Sequence, residues 1–247
     1  MPRKEGVESA AKTLRLMELM AANGGRLTVT QIAQQLDCSI ASANRFLQTL
    51  QSVGYVEKNS MTNRYELNYR LYALASLQVE NDPMVQKLVP LAHAVSQKYD
   101  VSVNINAMLG KQAMLLFRVT RHYNKDTDFF NGKTAPAYCT SSGKAILSQY
   151  SPAQLDEYFE GLSLRSFQRG SYTEEGLRAE LAAAREQGYA VCREEYVSGV
   201  FSFSFPIRDR EGRFYAFTVI CSMREKKAVF QEKIIREIRR QLETLCG

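Results

Sequence analysis

The chain has 247 residues, 45% of them apolar and 23% charged, with a net charge of +6, a balance that fits two globular domains and excludes a disordered chain. No apolar run approaches the ~18 residues that cross a bilayer and no signal-peptide apolar region follows Met1, so a cytoplasmic protein with no membrane partner is expected. Five scattered cysteines and only two histidines, His93 and His122, offer no ligand spacing, which predicts no disulfide framework, no metal site and no cofactor.

Residues 7–22 set Ala10, Leu14, Met17 and Ala21 at helical spacing, so a first helix is expected to bury that face and to end at Asn23-Gly24-Gly25. Thr28 and Gln31 have the spacing of a capping box, opening a second helix that buries Val29, Ile32, Ala33 and Leu36. From Ser39 to Val53 a third helix packs Ile40, Ala43, Leu47 and Leu50. Gly54 closes it, and two short strands, 55–57 and 64–67, flank a polar turn. Three helices and a hairpin make a winged helix-turn-helix.

The outer side of the third helix carries Ser39, Ser42, Asn44, Arg45, Gln48 and Thr49, with no acid among them. Base edges and phosphates offer mostly acceptors, plus a few donors that Asn and Gln can match, so this mixture suits a major groove. Lys58 and Arg64 flank the wing tip and are expected on phosphate or in the minor groove. Residues 1–70 hold nine Lys/Arg against six Asp/Glu, half of the chain's net positive charge, as contact with double-stranded DNA would favour.

Residues 68–80 place Leu71, Leu74, Ala75 and Gln78 on one helical face, a linker helix broken at Asn81-Asp82-Pro83. The next helix presents Leu88, Leu91, Ala92, Val95 and Tyr99, with Pro90 in its interior. The period then becomes two: Val101, Val103, Ile105 and Ala107 alternate with Ser102, Asn104 and Asn106, the pattern of a half-buried strand. A second strand follows across 113–119, then a polar, aromatic loop from Arg121 to Gly132. Helices are expected over 142–150, from Ser151 with a capping box, over 174–187 between Thr173 and Gly188, and from about Lys226 to Leu245. A hairpin pairs 200–208 with 214–222. The predicted class is therefore α+β, divided into a DNA-binding domain over 1–67, a linker helix over 68–82 and a larger second domain over 83–247.

No nucleotide-binding glycine loop, nucleophile elbow or zinc-protease motif occurs. The run Cys139-Thr140-Ser141-Ser142-Gly143-Lys144 places a nucleophile near a lysine, but nothing in sequence orients a base. Small residues entering a helix also leave its first amides free for an anion, the role that fits better here. Two other readings remain: an enzyme built on Ser141–Lys144 with the N-terminal domain as a docking module, and a regulator without an effector.

The run Leu27–Gly54 with Gly54-Tyr55-Val56, Gly132-Lys133 through Pro136, Ser142-Gly143-Lys144-Ala145, Gly188-Tyr189-Ala190, Glu194-Glu195-Tyr196 with Gly199-Val200, and Pro206-Ile207-Arg208-Asp209 together resemble the IclR-type family of bacterial transcription regulators. The resemblance covers nearly the whole chain and implies a repressor or activator. It implies a homodimer or dimer of dimers on a palindromic operator, and a GAF-like domain that binds a small-molecule effector. In members that sense small 2-oxo acids the carboxylate lies at the positions of Ser141 and Ser142. The rest of their pocket maps to Cys192, Val200, Ser202, Val219 and Cys221.

Here Cys192 replaces an Asp, Ser202 a Cys and Val219 a Ser, and the lost hydrogen-bonding capacity argues against a glyoxylate-like effector. Strand parity sends Phe201, Phe203 and Phe205 away from Ser202 and gives Phe217 the parity of Val219 and Cys221. Phe217 is therefore expected to line the pocket, with Phe129, Phe130 and Tyr138 close to the anion site in sequence. An aromatic or carboxylate-bearing metabolite is the expected effector.

Overall fold

The computed structural model describes residues 7–121, 130–168, 172–223 and 232–246, and divides into two units, Met1–Gln78 and Val79–Gly247. His122, Phe129 and most of the expected aromatic loop lie outside the described residues, as does the start expected for the last helix.

In the first unit, α1 (Glu8–Ala22), β1 (Arg26–Leu27), α2 (Val29–Gln35), α3 (Ile40–Ser52), β2 (Val56–Lys58) and β3 (Tyr65–Leu67) follow one another, and the strands form a sheet in the order β1-β3-β2. Local chemistry sets the helix starts. Thr28 and Gln31 form the complete capping box at α2, and the Ser39 hydroxyl accepts from the Ser42 amide at α3. Leu27, Ile32, Ala43, Leu47, Leu50, Val56 and Tyr65 share a core with Leu16 and Met20 of α1.

That core corrects the face expected of α1: Leu16 and Met20 are buried, whereas Ala10, Leu14 and Ala21 are exposed. Both stripes have helical spacing, and the larger apolar volume wins the core. Ile40, on the first turn of α3, is likewise exposed.

α4 (Arg70–Glu80) is helical but buries no residue, so among the described residues nothing covers Leu74, Ala75 and Gln78 of the expected stripe, and Leu71 is only partly buried. α5 (Pro83–Tyr99) opens the second unit with Pro83 in its first turn and Asp82 accepting from the Met84 and Val85 amides.

There β4 (Ser102–Leu109), β5 (Gln112–Val119), β6 (Thr134–Pro136), β7 (Ala190–Arg193), β8 (Val200–Arg208) and β9 (Phe214–Ser222) form a six-stranded sheet in the order β6-β5-β4-β9-β8-β7. Every pairing is antiparallel. Helices α6 (Ser141–Leu147), α7 (Pro152–Phe159), α8 (Glu174–Gln187) and α9 (Glu232–Cys246) complete the unit.

The two faces of this sheet differ. One packs Val103, Ile105, Phe201, Phe203, Phe205, Tyr215, Phe217 and Val219 against Leu88, Val95, Ile235 and Ile238 from α5 and α9. The other is covered by α6, whose seven residues are all buried. Ser102, Asn104 and Asn106 are consequently buried, and the half-buried strand expected from their polarity is covered on both faces.

Candidate functional site

Arg45, Gln48 and Thr49 are exposed on α3, with Ser42 and Asn44 partly buried at its flanks. Ser39 and Ser42 are engaged in the helix cap, their hydroxyls 2.9 Å apart, and the Thr49 hydroxyl donates to the Arg45 carbonyl at 3.0 Å. The side chains left with uncommitted donors are Asn44, Arg45 and Gln48, and Arg45 forms no ion pair among the described residues. Lys58 and Arg64 are exposed on the hairpin. Its tip is held by Asn59, whose Oδ1 accepts from the Met61 and Thr62 amides and whose own amide donates to the Arg64 carbonyl.

The second unit holds a cavity of about 70 Å³ between the sheet and the entry of α6. Five of the anticipated effector residues line it: Ser141 and Ser142 from α6, Cys192 from β7, and Val200 and Ser202 from β8. Phe217, Val219 and Cys221 do not; they face the opposite core with Phe201 and Phe203.

The cause is register. Ser202 pairs with Ile220 and Ser204 with Thr218, and directly opposed residues of antiparallel strands share a face. Thr218 and Ile220 are thus the β9 residues at the cavity, joined by Asn104 and Asn106 of β4. Sequence parity separates the two faces of one strand but does not align neighbouring strands. Tyr138 is buried, its hydroxyl donating to the Arg165 carbonyl, and Phe130 is exposed.

Beneath the cavity runs a chain of buried polar groups. Ser202 Oγ lies 2.7 Å from Ser141 Oγ, Ser141 Oγ 2.8 Å from Ser204 Oγ, Ser204 Oγ 2.8 Å from Thr218 Oγ1, and Thr218 Oγ1 3.1 Å from Asn106 Oδ1. Thr140 caps α6 by accepting from the Gly143 amide, while the amides of Ser141 and Ser142 have no intrahelical partner by their place in the first turn.

Lys144 points elsewhere. Its buried ammonium lies 2.5 Å from Glu195 and 2.7 Å from Glu180, and the Tyr172 hydroxyl donates to Glu195 as well. Burial disfavours the lysine charge, but the two carboxylates outweigh it and hold the ammonium above the ordinary lysine value. Burial also pushes the Cys139 thiol up to about 12 and the Cys192 thiol up to about 11, so neither is a thiolate at neutral pH.

Gly143 permits the close packing of α6 on the turn before it, because a Cβ there would lie 2.3 Å from both the Cα and the carbonyl oxygen of Ala137. Backbone atoms cannot swing away as a side chain would. Gly143→Ala is expected to cost on the order of 2–3 kcal/mol of the second unit's stability, read by urea unfolding; a wild-type midpoint would disprove the contact.

The chain matches the profile described as bacterial transcriptional regulator IclR C-terminal over residues 77–245, and that of the IclR helix-turn-helix domain over residues 9–60. It is 24% identical to the HTH-type transcriptional regulator KdgR of Escherichia coli over 208 residues, covering 83% of this chain and 79% of that one. It is 26% identical to the regulator BhcR of Paracoccus denitrificans, also over 208 residues, with 84% and 74% covered.

Among solved structures it resembles a transcriptional regulator from Rhodococcus sp. RHA1, with a TM-score of 0.79, 23% identity and 97% of both chains covered. It also resembles an IclR homolog from Microbacterium hydrocarbonoxydans solved in complex with 4-hydroxybenzoate, with a TM-score of 0.78, 21% identity, and 96% of this chain and 98% of that one covered. These structures share the mixed α+β fold. With matches to both domain profiles, the longer spanning well over half of its residues, the chain belongs to the IclR family, whose members are DNA-binding transcriptional regulators and not enzymes.

Proposed function

We propose that this regulator binds its operator through α3 and the β2–β3 wing and answers to a small carboxylate-bearing metabolite held in the second unit. In this reading residues 1–67 contact DNA, 68–82 link, and 83–247 sense the effector and assemble the oligomer. The observation that carries the sensing part is the cavity itself, which lies between the sheet and the entry of α6 and is lined by the polar Thr140, Ser141 and Ser142 together with the apolar Ala113, Leu115 and Ile220.

The expected carboxylate suits the first-turn amides of Ser141 and Ser142, which line the cavity. The aromatic body lost its main support when Phe217 fell into the core. That the Microbacterium homolog was solved with 4-hydroxybenzoate favours an acid of modest size. A homodimer, or a dimer of dimers, on a palindromic operator is supported by Tyr72, Leu74 and Leu77, exposed apolar side chains on a helix with no cover of its own.

Thermal-shift titration of the full-length protein with small carboxylates tests the sensor, since a ligand selective for the folded state raises Tm. A panel in which no acid shifts Tm or releases DNA removes the sensing reading. For the DNA face, Arg45→Ala is expected to weaken binding to a duplex enriched from a random pool by about 1–3 kcal/mol and to relax base preference. Unchanged affinity and footprint would move the recognition surface off α3.

A further inference from the structure

Arg26 stands on β1 directly opposite Glu66 of β3, and Leu27 stands opposite Tyr65. Leu27 and Tyr65 are buried in the core of the first unit, so the register turns Arg26 and Glu66 to the outer face of the sheet. There Arg26, Asn59, Thr62, Arg64 and Glu66 line an open hollow of about 380 Å³.

Its donors are largely uncommitted. The Arg26 side chain is 68% exposed, and its Nε lies 3.6 Å from Glu66 Oε2, beyond hydrogen-bond distance. Arg64 is exposed and forms no ion pair among the described residues. Thr62 Oγ1 accepts from the Arg64 amide at 3.4 Å, which leaves its proton to donate.

The one acid of the lining is already engaged, since Glu66 Oε1 accepts from the Asn59 side-chain amide at 3.1 Å. Glu57, opposite Glu66 on β2, lies outside the lining and accepts from Asn68. Two guanidiniums against one carboxylate leave the hollow positive. Arginine forks match the oxygens of a phosphate, and a tetrahedral anion presents an oxygen to each of two arginines.

We propose that Arg26 and Arg64 clamp one phosphodiester of the DNA backbone between them, so that β1 joins α3 and the wing in the DNA-binding surface. Such a contact fixes position on the duplex without reading sequence. This inference rests on the reading of the β2–β3 wing as a DNA contact.

The test uses the full-length protein and a duplex enriched from a random pool. Affinity is measured against salt concentration, and each phosphate is probed by ethylation interference. Arg26→Ala is expected to lower the slope of log affinity on log salt by about 0.9 for each bound subunit and to weaken binding equally across sequences. Ethylation at one phosphate per bound subunit should cease to interfere, and Arg64→Ala should release that same phosphate. Arg26→Gln gives the same readings should the alanine variant fold poorly.

An unchanged slope and interference pattern in the Arg26 variants, or a slope that falls with no phosphate released, overturns the role of Arg26. The wing reading stands in that case if Arg64→Ala still releases a phosphate. Release of different phosphates by the Arg26 and Arg64 variants overturns the shared clamp. No effect of Arg64→Ala and Lys58→Ala on either measurement overturns the wing reading and this inference with it.

Discussion

Phe217→Ala is expected to destabilise the second unit by about 3–5 kcal/mol while leaving the effector affinity of the folded fraction unchanged. The ring has no exposed surface and sits opposite Ile105 on β4 and Phe205 on β8, in the middle of the apolar face. Truncation removes the transfer free energy of the ring and leaves a void that neighbouring strands, fixed by their hydrogen-bonded ladders, fill only in part. Urea unfolding of the variant, paired with effector titration below the transition, separates the two roles. Wild-type stability with a lost effector response would put Phe217 back at the ligand.

Lys144→Met is expected to cost on the order of 3 kcal/mol, because it leaves the partly buried Glu195 carboxylate without its cation. Glu195 retains 18% of its side-chain surface and cannot rehydrate fully, while Glu180, at 56%, turns to solvent at little cost. The double variant Lys144→Met with Glu195→Gln should recover much of the loss, since it removes the stranded charge. Because the folded lysine titrates above its ordinary value, the pair's contribution is complete at neutral pH and fades only as pH rises through that raised value. The stability gap between wild type and Lys144→Met should therefore be flat from about pH 6 to 9. A single variant as stable as the wild type would mean that the pair contributes nothing to stability.

Elements whose signals are local were legible in the sequence. The hydroxyl caps of α2, α7 and α8 were read at their helix starts, whereas that of α3 was not, and β8 and β9 occupy the span predicted for them, since alternating apolar runs bounded by turn residues have one economical solution. β1, β6 and β7 are two to four residues long, too short for a period to emerge, and went unseen. Non-local outcomes were lost in specific ways. Which stripe of α1 is buried depends on what α2 and α3 present to it, and the polarity of Asn104 and Asn106 spoke for solvent because the helix that covers them lies far along the chain.

The site was legible by half. Ser141, Ser142, Cys192, Val200 and Ser202 line the cavity, whereas Asn104, Asn106, Thr218 and Ile220 required the register between strands. A signal for the first two was present: two asparagines at alternate positions of an apolar strand are unusual enough to mark a buried polar site.

The alternation on β8 and β9 has a consequence for how such a sensor changes through descent. Ser202, Ser204, Thr218 and Ile220 can be exchanged without touching the apolar face, because the ladder that holds them is made by backbone atoms indifferent to side-chain identity. The cavity lining and the apolar core are thereby written on interleaved positions of the same strands. Randomising Ser202 and Ile220 should yield folded proteins more often than randomising Phe203 and Phe217, as urea unfolding of the library members would show.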